Sequence, residues 1–409
     1  MACLIRVGLS RLTNANSVKS LLFAKTEINF LRPISSKLLR DQDVDAPKKP
    51  APWNYKEKPY NILNYWTDRT TSRLDENSKV IVVEGPVAAG KTKFAKQLAE
   101  ELDMLYFPEA NLDMIYINHY GYDLRQLDDQ LPESCRSFDI KNFLLTPKHI
   151  NTASFQNRQY YVKYSQYIDA LAHLLSTGQG VVLDRCCYSD FVFNEAMCSQ
   201  GYISKEAYKA YYEFRDNTIS ELLRPHLVIY LDVPVDKVLE KIKERNLACE
   251  RNSPVLTPQY LSVMEKAYKQ KYLKEISKHA ELLIYDWSDG GEVEIVVEDV
   301  ERIDFDRFDS QDLKMKDWVQ HYEEDWGALR NLYSDHKNHL LTYFNVPLYH
   351  VPELTIDAED AKIYHDTMNN APGQVYEVGF NAPLGDKGVL FKVRDPHRHT
   401  LPLRERNLQ

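Results

Sequence analysis

Three features of the sequence predict an α/β fold, a three-layer open parallel sheet of about five strands with helices on both faces. The β-branched run Lys79-Val80-Ile81-Val82-Val83-Glu84 suits a strand buried on both sides. A glycine loop and a helical pattern follow it directly. Beyond them, short apolar runs alternate with helical stretches, the βαβα order of a doubly wound sheet.

From the N-terminus, residues 1–40 stand apart. Arg6, Arg11, Lys19, Lys25, Arg32, Lys37 and Arg40 face a single acid, Glu27, for a net +6. Leu4, Ile5, Leu9 and Leu12 share one helical face with Arg6 and Arg11 off it, the pattern of a mitochondrial transit peptide. A basic tail of no fixed structure has the same composition. Residues 41–78 form a lead-in whose first part carries Pro47, Pro50, Pro52 and Pro59 among lysines and aromatics. Residues 41–60 read as extended, without a core element and able to lie along a neighbouring surface.

The principal domain is predicted over 79–309. A helix at 91–102 follows the glycine loop, then the short segment Met104–Phe107, a helix at 152–177 and the strand Gly180–Asp184. Helices at 188–200 and 204–223 lead to the strand His226–Asp232. A helix from Val235, a basic hinge, a helix at 257–278 and the strand Leu282–Asp286 complete the alternation. From 310 to 409 the pattern changes. A helical stretch bearing Trp318 and Trp326 gives way, after Asn345, to scattered Pro, Gly and Tyr with little regular structure. Such a segment wraps its own domain or a partner. Trp318, Trp326, Tyr343 and Phe344 suit partner anchors, so 310–409 is expected to be a docking extension that nucleotide binding does not need.

Hydrophobic residues make up 44% and charged residues 27% of the 409, as in a soluble globular protein. No apolar run approaches the roughly 20 residues that span a bilayer, so no membrane-spanning segment is expected. Setting the leader's +6 against the whole-chain −9 leaves −15 on residues 41–409. That surface is poor for nucleic acid, whose phosphates call for clustered cations. Cys3, Cys135, Cys186, Cys187, Cys198 and Cys249 contain no CxxC pair and read as reduced thiols, not a disulfide framework or zinc site.

The chemistry concentrates after the first strand. Gly85-Pro86-Val87-Ala88-Ala89-Gly90-Lys91-Thr92 matches the phosphate-loop pattern G-x-x-x-x-G-K-[ST], placed between strand and helix as the mechanism needs. Gly85 and Gly90 let backbone N–H groups wrap phosphate oxygens, Lys91 neutralises the distal phosphates and Thr92 can hold Mg²⁺. A turn that keeps the pattern without a ligand is the alternative. Glu109, in Phe107-Pro108-Glu109, is a candidate general base, or else a solvated surface acid. Asp184-Arg185 emerges at the same sheet edge, where Asp184 can reach Mg²⁺ and Arg185 phosphate, or where the two form a buried ion pair.

Residues 79–287 resemble the deoxynucleoside kinases. In that family the phosphate loop is followed by a glutamate–proline segment, matched here in reversed order by Pro108-Glu109. A base-reading glutamine follows, matched by Gln156 in Ser154-Phe155-Gln156, then an acid–arginine–serine motif, here Asp184-Arg185-Cys186. The resemblance implies an arginine-rich lid followed by paired glutamates at Lys241-Ile242-Lys243-Glu244-Arg245-Asn246-Leu247-Ala248-Cys249-Glu250. Here two arginine positions are lysines, Leu247 stands where a further arginine belongs, and Cys249 replaces one glutamate. Arg245 then remains for nucleotide, with a weakened clamp on a transferring phosphate.

The leader, the proline-rich lead-in, Cys135-Arg136-Ser137, His279-Ala280-Glu281-Leu282-Leu283-Ile284-Tyr285-Asp286-Trp287 and Tyr343-Phe344-Asn345-Val346-Pro347 resemble more closely the 42-kilodalton accessory-subunit family of mitochondrial respiratory complex I. That resemblance implies other complex I subunits as partners, a place on the matrix side of the inner membrane and a role in assembly or stability. The phosphate loop between strand and helix is expected to hold a purine nucleotide with Mg²⁺ on Lys91 and Thr92, and the lid depleted at Leu247 and Cys249 to leave phosphoryl transfer slow or absent. FAD is associated with that family, yet the sequence has no G-x-G-x-x-G fingerprint. Glu109, Asp184 and Arg185 then stand as vestigial catalytic residues. An active mitochondrial deoxynucleoside kinase is the competing expectation, favoured by the intact Gly90-Lys91-Thr92.

Overall fold

The computed structural model describes residues 34–37, 40, 49–305 and 312–388. Most of the transit-peptide segment, and residues 389–409, lie outside the described residues. Strands β1 (Val80–Glu84), β2 (Leu105–Phe107), β3 (Val181–Asp184), β4 (Leu227–Asp232) and β5 (Glu281–Asp286) form one parallel sheet in the order β2-β3-β1-β4-β5. The helices of nine or more residues are α1 (Lys91–Glu101), α2 (Thr152–Thr177), α3 (Phe191–Ser199), α4 (Lys205–Thr218), α5 (Val235–Arg245), α6 (Pro258–Ala267), α7 (Val293–Glu301), α8 (Glu323–Asp335) and α9 (Ala358–Asn369).

β1 is central because it is apolar on both faces. Val80, Ile81, Val82 and Val83 are fully buried, each contributing about 1.5–3 kcal/mol. Its neighbours are β3, with Val80 opposite Val181, and β4, with Ile81 opposite Leu227. The chain moves outward from β1 to β2 through α1 and returns from β2 to β3 through α2. Right-handed crossovers therefore set α1 and α2 on opposite faces. Strand order reverses at β1, which opens a crevice beyond its C-terminal end.

The helix expected at 257–278 is present as an unbroken helical run, α6 passing through a π-helical turn at Tyr268–Tyr272 into Leu273–Ile276. The wider turn accompanies the burial of Tyr268 and Tyr272, two bulky rings close in sequence. Several other expectations are corrected. The lead-in is not a free strap. Tyr55 and Tyr60 are buried in the core, the Trp53 N–H donates to the Ser176 carbonyl at 3.1 Å, and Ile62–Thr67 is helical. Its prolines exclude a regular ladder but do not stop its aromatic rings from burying apolar area. Ile34 is likewise buried, and Arg40 pairs with Asp75 at 3.1 Å, so a cut after residue 40 would strip contacts from the domain.

The C-terminal aromatics also turn inward. α8 packs on α2. Trp326 is buried, and Trp318 lies 3.9 Å from the His226 ring while its Nε1–H donates to the Arg224 carbonyl at 2.8 Å. Phe344 sits 5.1–5.5 Å from the rings of Tyr160, Tyr161 and Tyr164. These three anchor their own domain; Tyr343 is the exposed member of the set. After Asn345 the expected irregular stretch contains α9, tied back by Ser134 Oγ–H donating to Asp360 at 2.6 Å.

Candidate functional site

The crevice at the end of β1 is built first from backbone. Gly85 has φ +151°, and a Cβ there would stand 2.7 Å from the Leu231 carbonyl oxygen, so no other residue fits. Gly90, at φ +83°, turns the chain into α1. The first N–H groups of α1 point back over the loop, an arrangement suited to anions. The buried Lys91 donates from Nζ to the Pro86 carbonyl at 2.9 Å. Burial, then the Arg185 charge, lowers its ammonium to about 8, so a bound anion would stabilise the charged form.

Beside Lys91, Thr92 Oγ1–H donates to Asp184 Oδ2 at 2.6 Å. Asp184 is buried, which raises its carboxyl, and its Oδ1 has no hydrogen-bond partner. A hydroxyl next to an orphaned buried carboxylate oxygen is a hard-oxygen donor set that fits Mg²⁺. Arg185 adopts φ +62°, a region that costs a non-glycine residue free energy. That backbone lets its guanidinium reach Glu109 at 2.5 Å and the Gly85 carbonyl at 3.0 Å while lying 5.2 Å from the Phe193 ring. Burial alone would raise the Glu109 carboxyl, but Arg185, Lys91 and Lys163 overcome it and hold it at about 2. Glu109 keeps 38% of its side chain open, so it reads as neither a plain surface acid nor an isolated buried one.

The loop opens onto a cavity of about 720 Å³ lined by apolar groups, among them Phe143, Phe155 and Met197, and by a polar cluster. In that cluster Asp190, fully buried, accepts from Gln156 Nε2 at 2.8 Å, Lys163 Nζ at 2.7 Å and Tyr211 OH at 2.8 Å. Gln156 and Lys163 are two helical turns apart on α2, which sets both on one face. At the mouth, Arg245 is held by Glu250, its Nε donating to Oε2 at 3.0 Å. Leu247 is 45% exposed. Lys241 Nζ donates to the Trp287 carbonyl at 2.9 Å. A second hollow of about 510 Å³ lies across the loop, between α1, α5 and the turn around Trp287.

The structure thus gathers Gly85, Gly90, Lys91, Thr92, Glu109, Gln156, Asp184, Arg185 and Arg245 around one crevice. Sequence reasoning missed Glu84, Lys163, Asp190 and Tyr211. Glu84 is fully buried, accepts from Tyr268 OH at 3.3 Å and the Cys186 N–H at 3.3 Å, and is pushed by burial to about 7. Its signal was an acid closing an otherwise apolar run. The seven-residue spacing from Gln156 was the signal for Lys163.

The chain is similar to known proteins. The deoxynucleoside kinase family model matches residues 81–324. NADH dehydrogenase (ubiquinone) 1 alpha subcomplex subunit 10, mitochondrial, of Mus musculus is 39% identical over 327 residues, covering 80% of this chain and 87% of that protein. Deoxyguanosine kinase of Dictyostelium discoideum is 29% identical over 58% of this chain and 73% of its own length. A solved structure of deoxyadenosine kinase from M. mycoides with bound dATP aligns over 54% of this chain and 96% of that one, at 19% identity and a TM-score of 0.39.

Proposed function

We propose, from the premise that this chain belongs to the deoxynucleoside kinase family and within it to the group of NADH dehydrogenase 1 alpha subcomplex subunit 10, that it is an accessory subunit of mitochondrial respiratory complex I. One observation carries the reading: the 39% identity runs over 327 residues, beyond the stretch that the kinase model matches. The protein then works in mitochondria among the other subunits of that complex, on the matrix side of the inner membrane. No helix among the described residues is long and apolar enough to cross a membrane, so these partners hold it there.

In the same reading the crevice holds a purine nucleotide with Mg²⁺. Loop N–H groups and Lys91 take the phosphates, Thr92 and Asp184 hold the ion, and the cavity beyond Gln156 takes the nucleoside. Mg²⁺ would neutralise phosphate oxygens there. Turnover is slow or absent because Leu247 offers no charge, Arg245 is spent on Glu250 and Lys241 on a carbonyl, leaving the clamp that phosphoryl transfer needs incomplete. Flavin gains no support, since the phosphate-binding element is a phosphate loop and not the flavin-type glycine fingerprint.

Native-gel fractionation of mitochondria tests the placement: co-migration with the assembled complex is expected, and a small free species would sink it. Purified protein should retain nucleotide that Lys91→Ala loses, read by mass spectrometry. Equal retention by both would remove the site. The second reading, an active kinase, is favoured by the intact Thr92–Asp184 and Glu109–Arg185 contacts. Nucleoside phosphorylation at about 1 per second or faster would establish it.

A further inference from the structure

β2 carries a side chain that none of the assignments above uses. In the parallel register Tyr106 stands opposite Val182, and β3 continues two residues to Asp184. Opposite residues, and residues two apart on a strand, share a sheet face, so Tyr106 and Asp184 are on the same face. Phe107, on the opposite face, is fully buried in the core.

Two oxygens on that face are buried: Asp184 Oδ1, which has no hydrogen-bond partner, and the Tyr106 hydroxyl, whose polar neighbour is the Thr92 side chain. Orphaned buried oxygens are costly, and a folded protein tolerates them where an ion or water completes the set. Between them stands Thr92, whose hydroxyl donates to Asp184 Oδ2 at 2.6 Å and hydrogen-bonds with the Tyr106 side chain.

We propose that the Tyr106 hydroxyl completes the outer shell of the Mg²⁺ held by Thr92 and Asp184, accepting a hydrogen bond from a metal-bound water. This rests on the nucleotide-holding reading. Water on a divalent cation is a strong donor, and a neutral phenol oxygen is a suitable acceptor. The phenol of an ordinary tyrosine is neutral at physiological pH. A phenolate at that spot would instead be a further anionic ligand. Outer-shell partners of this kind orient the inner ligands, so Tyr106 is a positioning residue and not a catalytic one.

The test uses the full-length protein, methylanthraniloyl-labelled ATP and a MgCl₂ titration from an EDTA-treated start. In Tyr106→Phe, affinity in EDTA should match wild type, while the Mg²⁺ concentration giving half-maximal tightening rises roughly tenfold. Thermal unfolding without metal should be nearly unchanged, because the ring and its packing are kept. Asp184→Asn should abolish the Mg²⁺ response. Identical Mg²⁺ curves for wild type and Tyr106→Phe would overturn the role of Tyr106 and leave the nucleotide site standing. A wild type that binds no labelled nucleotide, or binds it indifferently to Mg²⁺, would overturn both.

Discussion

Replacing Arg330 with alanine asks whether α8 is an appendage or part of the domain. The Arg330 side chain is fully buried. Its Nη2 donates to Asp68 Oδ2 at 2.7 Å, its Nη1 to the Asp68 carbonyl at 3.3 Å, and its guanidinium lies 3.8 Å from the Tyr60 ring centroid. One contact set thus joins α8 to the lead-in. Removing one partner of a buried ion pair costs about 3–5 kcal/mol. The low end applies, because Asp68 Oδ1 keeps Arg73 and is not left uncompensated. Loss of the desolvated cation–π contact belongs within the same figure, at about 1–2 kcal/mol. A net loss near 3 kcal/mol lowers the unfolding midpoint by roughly 5 °C in a domain of this size. Circular dichroism melts read the shift, and limited proteolysis should show new cutting ahead of Asp68. Arg330→Lys, which keeps the charge but not the fork, should fall between. A melting point within about 2 °C of wild type would refute the view that lead-in and tail close the core.

Two further outcomes follow from buried titratable groups. Glu84 has a folded pKa of about 7, above its ordinary 4.5, so between those values the folded state keeps a proton that the unfolded state has lost. Stability therefore falls as pH rises from 4.5 to 7, by roughly 3 kcal/mol at most, and the penalty is complete above 7. Glu84→Gln should gain on wild type across that window; a difference that does not vary with pH would contradict it. Among the described residues Cys135, Cys186, Cys187, Cys198 and Cys249 are free thiols. Burial pushes Cys186 and Cys187 up, so a thiol reagent on native protein should modify Cys198 and Cys249 and spare that pair until denaturant is added, as peptide mass mapping would show. Native labelling of Cys186 or Cys187 would contradict that burial.

The sequence by itself determined the sheet and the phosphate loop. β1 is legible because four successive fully buried residues leave no polar side to disguise, and α2 was read at 152–177 because its apolar spacing holds for seven turns. Gly85, Gly90, Lys91 and Thr92 are legible because the loop uses backbone geometry, which glycine spacing records. What only the tertiary structure decided are contacts between groups far apart in the chain. Asp190 gathers Gln156, Lys163 and Tyr211 from two helices, and no local pattern writes that convergence. Trp318, Trp326 and Phe344 were read as partner anchors because an aromatic outside the strands carries no mark of where it buries its ring. Proline excludes the lead-in from a regular ladder, yet Tyr55 and Tyr60 fill the core, because apolar area can be buried without regular backbone structure.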